Sequence, residues 1–300
     1  MDQLSPVHPR NPVSKILDKT ANSEDVSNNK HIEGSENIYL PSKGIFYRGN
    51  FHNLEYLKVR PLDWTDEDIL TTQSYYDNGT LLNEILNNCI VDTNGFKASD
   101  LVAVDRDTIL LWLRSSAFGK IFEIEFPCPN TKCKSHENGN VGTISWDLSE
   151  LDIPSYSEEV FEILSREGAL IIETPSTDTK VKITVPPIGL VNRIEKNYQL
   201  KKEREKTSKD YIATSTLLSV VEGVEVEPGK FVYEKDEIVK HFKKIRLPLG
   251  DSRYILHKAK KLNLKYETGK IFHCKECGHI EEDVQMPLLH KNFFWPESGE

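Results

Sequence analysis

The 300 residues are 38% hydrophobic and 28% charged, with a formal net charge of −9 and a mean hydropathy of −0.48. That is enough apolar material for one large or two smaller cores, and the acidic balance argues against a general nucleic-acid binder, because counterion release rewards positive charge. No apolar run approaches the ~18 residues of a membrane span, and the first ten residues contain no signal-peptide core.

Residues 1–36 are poor in large apolar groups and rich in Asn, Ser, Asp, Lys and Pro, so they read as an extended polar arm that cannot fold alone. Ordered sequence begins near Ile38. Residues 54–59 read as a strand ended by Arg60-Pro61. Thr65 reads as a helix cap, with Asp66, Glu67 and Asp68 placed where the helix dipole favours negative charge. Asn78-Gly79 breaks that helix, and the glycosylation triplet Asn78-Gly79-Thr80 reads as a turn. Thr80 caps the next helix, whose Leu81, Leu82, Ile85, Leu86, Cys89 and Ile90 recur at helical spacing, making Cys89 a core residue. A third helix is expected over 105–118 with Gly119 as its stop.

From Ile121 the period changes to two. Phe122, Ile124 and Phe126 alternate with Glu123 and Glu125, a strand that runs into Cys128, with a return strand expected over 142–148. A second strand pair is expected over 169–174 and 180–185, helices over 189–221, 234–245 and 251–262, and a strand over 270–273. The fold class is therefore α+β: a helical N-terminal half joined to a zinc-ribbon-like pair of cysteine hairpins, with a mixed strand/helix insertion between them. The expected divisions are the arm 1–36, a helical region with the first hairpin at 37–154, an insertion at 155–250, and a helix, second hairpin and aromatic end at 251–300.

Four of the five cysteines carry the chemistry. Cys128 and Cys133 lie across a short turn after one strand, and Cys274 and Cys277 form a C-x-x-C knuckle after another, followed by Gly278. Two such tips facing each other would supply four thiolates to one tetrahedral Zn²⁺, a closed site with no position for substrate water. Competing readings are a mixed site in which His136, His273 or His279 replaces a cysteine, a redox C-x-x-C, and disulfides. The redox motif wants a strand–helix setting, and disulfides want an oxidising compartment. No phosphate loop, dinucleotide fingerprint, H-E-x-x-H or nucleophile elbow occurs. Asp105 and Asp107 read as helix-start residues, and the basic clusters at 243–246 and 257–261 as solvated helix faces. The chain therefore reads as structural, without a catalytic site. A zinc-ribbon regulatory module contacting nucleic acid or polymerase is the alternative; it gains from the cysteines and loses on net charge.

Several stretches resemble baseplate proteins of T-even-type contractile-tailed bacteriophages. They are Leu40-Pro41-Ser42-Lys43-Gly44 with Tyr47, Val59-Arg60-Pro61-Leu62 before an acidic helix start, Asp105-Arg106, Leu113-Arg114-Ser115-Ser116-Ala117-Phe118-Gly119 leading to Cys128, and Phe293-Phe294-Trp295. The similarity covers roughly residues 40–133 and, thinly, those after 251; the arm and residues 155–250 depart from it. The resemblance implies a virion or tail-assembly protein near the central hub, made in the host cytoplasm, present in several copies, and contacting hub or wedge proteins. The aromatic end has the composition of an interface anchor or of a segment packed on its own domain.

Overall fold

In the computed structural model, residues 34–91, 95–133, 141–288 and 291–294 are described. Residues 1–33 of the polar arm, Lys134, His136 and Trp295 lie outside the described residues, whereas Glu36, assigned to the arm, opens the first strand.

The chain starts with β1 (Glu36–Tyr39), which pairs antiparallel with β2 (Tyr56–Val59), itself paired with β3 (Ile90–Val91). The N-terminal half is thus a three-stranded sheet with helices, where only β2 was expected. Between β1 and β2 the chain turns at Gly44, with φ +68, and a Cβ there would collide with the backbone of Leu54. Gly44→Ala is therefore expected to destabilise by at least ~2 kcal/mol, since neither the left-handed backbone nor the contact can relax cheaply. Chemical denaturation checks this; an unchanged midpoint would count against the turn geometry.

The acidic helix start becomes a 3₁₀ turn at Trp64–Asp66 followed by α1 (Glu67–Thr71) and α2 (Gln73–Asp77). The cap is Asp63, not Thr65: its carboxylate accepts the Thr65 amide at 2.8 Å. Asp63 is the stronger cap because a carboxylate accepts both the amide and the Thr65 hydroxyl. Thr80 precedes α3 (Leu81–Cys89) without a side-chain cap bond, and Cys89 is fully buried as its stripe required. Next comes α4 (Ala103–Phe118), ended by Gly119 at φ +83.

Residues 155–250 contain α5 (Glu158–Glu167), β6 (Leu170–Glu173), β7 (Lys180–Ile183), α6 (Ile188–Glu205), α7 (Ile212–Val220), β8 (Val221–Glu227), β9 (Lys230–Val232) and α8 (Lys235–Lys244). Their four strands form one antiparallel sheet in chain order. The β8–β9 hairpin was missed, although Val224 and Val226 alternate with Glu225 and Glu227 before Pro228-Gly229. After α9 (Leu249–Leu262), β10 (Lys270–His273) and β11 (Ile280–Val284) form the last hairpin, and α10 (Lys291–Phe294) closes the described chain. The mixture of helix and antiparallel sheet is α+β. One continuous buried cluster runs from Ile38 through residues 155–250 to Phe294.

The aromatic end is part of that cluster. Phe293 is fully buried, its ring 5.1 Å from Phe122, and Phe294 is 3% exposed. Burial against Phe122 stabilises these rings within their own chain, so Phe293 and Phe294 are not a free interface anchor.

Candidate metal centre

Arg114, near the end of α4, directs the chain into the first hairpin. Its guanidinium donates to the carbonyls of Gly119 at 3.3 Å and Ile121 at 3.4 Å, and lies over the Phe118 and Phe122 rings. The hairpin then forms from β4 (Ile121–Pro127) and β5 (Val141–Asp147), in register from Ile121↔Asp147 to Pro127↔Val141. Alternation puts Phe122, Ile144 and Trp146 inward and Glu123 outward.

Cys128 follows β4 directly. The turn to Cys133 is closed by the Cys133 amide donating to the Asn130 carbonyl at 2.9 Å. In the second hairpin the Cys274 amide donates to the His279 carbonyl at 2.9 Å, and the Gly278 amide to the Cys274 carbonyl at 3.0 Å. Gly278 has φ +70, the left-handed backbone this knuckle needs. The hairpins are clamped by side chains from both. Phe126 and Phe272 pack edge to face at 4.9 Å, and the Trp146 indole donates to the Thr268 carbonyl at 2.6 Å.

This packing brings residues 141 and more positions apart to one point. The Sγ atoms of Cys128, Cys133, Cys274 and Cys277 all lie within 4.8 Å of one another, with Cys128–Cys277 and Cys133–Cys274 both at 3.7 Å. None is in a disulfide. A tetrahedron with zinc–sulfur bonds of ~2.3 Å has sulfur–sulfur edges of about 3.8 Å. Three of the cysteines are buried and Cys277 is exposed. Burial, reinforced by the neighbouring thiols, pushes the Cys128 thiol up from its ordinary range. Four sulfurs at these separations, three of them buried, form a donor set that suits a single tetrahedral metal ion. Of the sequence alternatives, neither His273 nor His279 joins the four sulfurs among the described residues; His279 instead faces Glu281 at 3.3 Å. Asn130 was missed by sequence reasoning: its amide donates to the Cys277 sulfur at 3.6 Å. Its place inside the Cys128–Cys133 turn was the available signal.

The other polar residues singled out hold loops. Asp105 is fully buried; it accepts the Ser42 amide at 2.9 Å, the Ser42 hydroxyl, and the Tyr47 hydroxyl at 2.6 Å. It lies in the first turn of α4, as expected, but tethers the Leu40–Gly44 turn instead of capping the helix, while Asp107 pairs with Arg106 at 2.7 Å. Asp66 accepts both guanidinium nitrogens of Arg60 at 2.8 Å, the Asn88 amide at 2.7 Å and the Asp63 amide at 2.8 Å.

The family model described as T4 bacteriophage base plate protein matches residues 49–295. The chain belongs to the T4 bacteriophage base plate protein family. The match includes both cysteine pairs and the whole of residues 155–250, which had looked divergent, and begins after the Leu40–Gly44 turn and Tyr47. Membership places the chain among the baseplate proteins of the phage tail and in association with other baseplate proteins. No curated protein and no solved structure matches the chain. Among the described residues, no helix of this baseplate protein is long and apolar enough to cross a membrane.

Proposed function

We propose that this baseplate protein is a non-catalytic subunit or assembly factor near the central hub of a contractile tail, closed by one structural Zn²⁺ on Cys128, Cys133, Cys274 and Cys277. The observation that carries the reading is the family match across residues 49–295, which takes in both halves of the sulfur cluster. Four thiolates fill a tetrahedral zinc and leave no open position, so the metal would contribute folding energy, on the order of 10 kcal/mol, rather than chemistry. The conspicuous buried carboxylates support the same reading, because Asp66, Asp105 and Asp251 are each consumed by contacts within the chain. The two hairpins then act as the two halves of a zinc ribbon, with 155–250 inserted between 37–154 and 251–300, and residues 1–33 serve as a strap onto neighbours. Those neighbours are hub or wedge proteins, several copies of this chain surround the tail axis, and assembly occurs in the host cytoplasm.

The test is genetic and microscopic. Removing the chain should abolish complete baseplates, and an epitope tag should decorate the tail tip or a hub intermediate. Deleting residues 1–33 should leave zinc content and melting unchanged while lowering incorporation at least ~10-fold, the arm supplying binding rather than folding energy. Normal tails formed without the chain would overturn the reading.

A further inference from the structure

Glu36 opens β1, and one oxygen of its carboxylate, Oε2, is fully buried and accepts no hydrogen bond. A carboxylate oxygen cut off from water without a donor is costly, and native structures keep few of them. Glu36 lines a cavity of about 260 Å³ that lies between β1, α4, the ends of the β4–β5 hairpin and Tyr266.

Three of the lining hydroxyls are committed elsewhere. Thr108 gives its proton to the Val104 carbonyl at 2.8 Å, so Tyr266, 2.8 Å from the Thr108 oxygen, is the donor in that second bond. Ser116 donates to the Leu113 carbonyl at 3.0 Å. Lys120 is the other charged residue of the lining; it is exposed, and its ammonium does not reach the buried oxygen.

The walls restrict what can meet Glu36. Leu111, Leu148, Leu151 and Ile153 are aliphatic, and Trp112 and Tyr266 add aromatic surface. An ordered water wants two to four polar partners, which such walls do not offer. A hard metal cation wants several oxygen ligands, and Glu36 is the one acid in the lining. An alkylammonium group matches each feature. Its N–H groups donate to the carboxylate, its charge is attracted by aromatic rings, and its stem covers aliphatic surface. The volume falls below the ~300–1,000 Å³ of most ligand pockets, so the stem is short.

We infer that this cavity binds a primary alkylammonium group, with the ammonium on Glu36 and the methylene stem against Leu111, Leu148, Leu151 and Ile153. A free amine and a lysine side chain share this chemistry. Bound there, the group ties β1 to α4 and to the first cysteine hairpin. The inference goes beyond the baseplate reading and does not depend on it.

The test is calorimetric titration of the freshly reduced full chain, with melting measured in parallel. Pentylammonium is expected to bind at a single site and to raise the melting temperature, because a ligand of the folded state stabilises it. Pentanoate and pentanol, which carry the same stem without the cation, should bind at least ~10-fold more weakly. Glu36→Gln keeps the shape and removes the charge; it should weaken pentylammonium at least ~10-fold with metal content unchanged. Leu151→Trp should block the site from the apolar side, and Lys120→Met should tighten binding by removing a like charge from the rim. Nα-acetyl-lysinamide separates the sources: affinity equal to that of pentylammonium assigns a lysine side chain, and much weaker binding assigns a free amine. Absence of saturable pentylammonium binding, binding no tighter than pentanoate, or equal binding by Glu36→Gln would overturn the inference. So would a carbodiimide crosslink from Glu36 to Lys120 in the amine-free chain, which would place the partner of the carboxylate within its own chain.

Discussion

Replacing Cys274 with serine is expected to release the bound metal and lower the unfolding free energy by several kcal/mol. Cys274 is 7% exposed, and its sulfur lies 3.7 Å from that of Cys133. A serine hydroxyl stays protonated at neutral pH and is a poor zinc ligand. With three ligands left, the binding free energy that doubles as folding free energy largely disappears. The loss should be local at first. Hydrogen exchange should accelerate across β4–β5 and β10–β11, which are joined otherwise by Phe126 on Phe272 and Trp146 on Thr268. The four-stranded sheet β6–β9 should be spared. Cys89→Ser provides the internal control. That thiol is fully buried and pushed up to about 12 by burial, and lies outside the sulfur cluster. It should cost stability without costing metal. A Cys274→Ser protein that keeps both its metal and its melting temperature would refute the assignment.

The second large effect belongs to Arg60 and Asp66. Asp66→Ala should destabilise by about 3–5 kcal/mol, because it strands a guanidinium whose side chain is only 11% exposed. Two further donors, the Asp63 amide and the Asn88 side chain, lose their acceptor as well. The same node has a pH signature. Burial raises the Asp66 carboxyl, but the bonds from Arg60, Asp63 and Asn88 outweigh it and hold the group below the usual carboxylate range. A depressed folded value means the stabilisation is present above the unfolded value, roughly pH 4, and is lost as pH falls through the folded one. Wild-type melting should therefore drop below about pH 4 more steeply than that of Asp66→Asn. Equal slopes would show that the carboxylate is not what responds. Asp105 works in the opposite direction. Burial raises it despite the bonds from Ser42 and Tyr47, so acidification through its range favours the fold.

What the sequence made legible follows from where each signal resides. The cysteine spacings, the two-residue alternation of 121–126 and Gly278 are local patterns, and they were enough to bring four sulfurs together before any coordinates. Cys89 was readable from its place in a helical stripe. The partners of Asp105 were not readable, because Ser42 and Tyr47 are about sixty positions away and a carboxylate at a helix start looks the same whether it caps or tethers. Asp66 lies at a helix start as read, but its pairing with Arg60 was not legible for a related reason: the bidentate geometry depends on the intervening 3₁₀ turn. Phe293 and Phe294 read equally as a surface anchor or as a segment packed on its own domain, because an aromatic pair near a chain end carries no mark of what covers it. Here Phe122 does, from a strand about 170 residues earlier. The β8–β9 hairpin was legible and overlooked, since alternating Val and Glu before Pro-Gly is a hairpin pattern.

The claim on which the account turns is that the two distant cysteine pairs share one metal. X-ray absorption at the zinc edge, on freshly reduced full-length protein with metal content measured in parallel, tests it most directly. One zinc per chain with four sulfur neighbours at ~2.3 Å is the predicted result. Folded protein without zinc, or zinc with nitrogen or oxygen in its first coordination sphere, would contradict it.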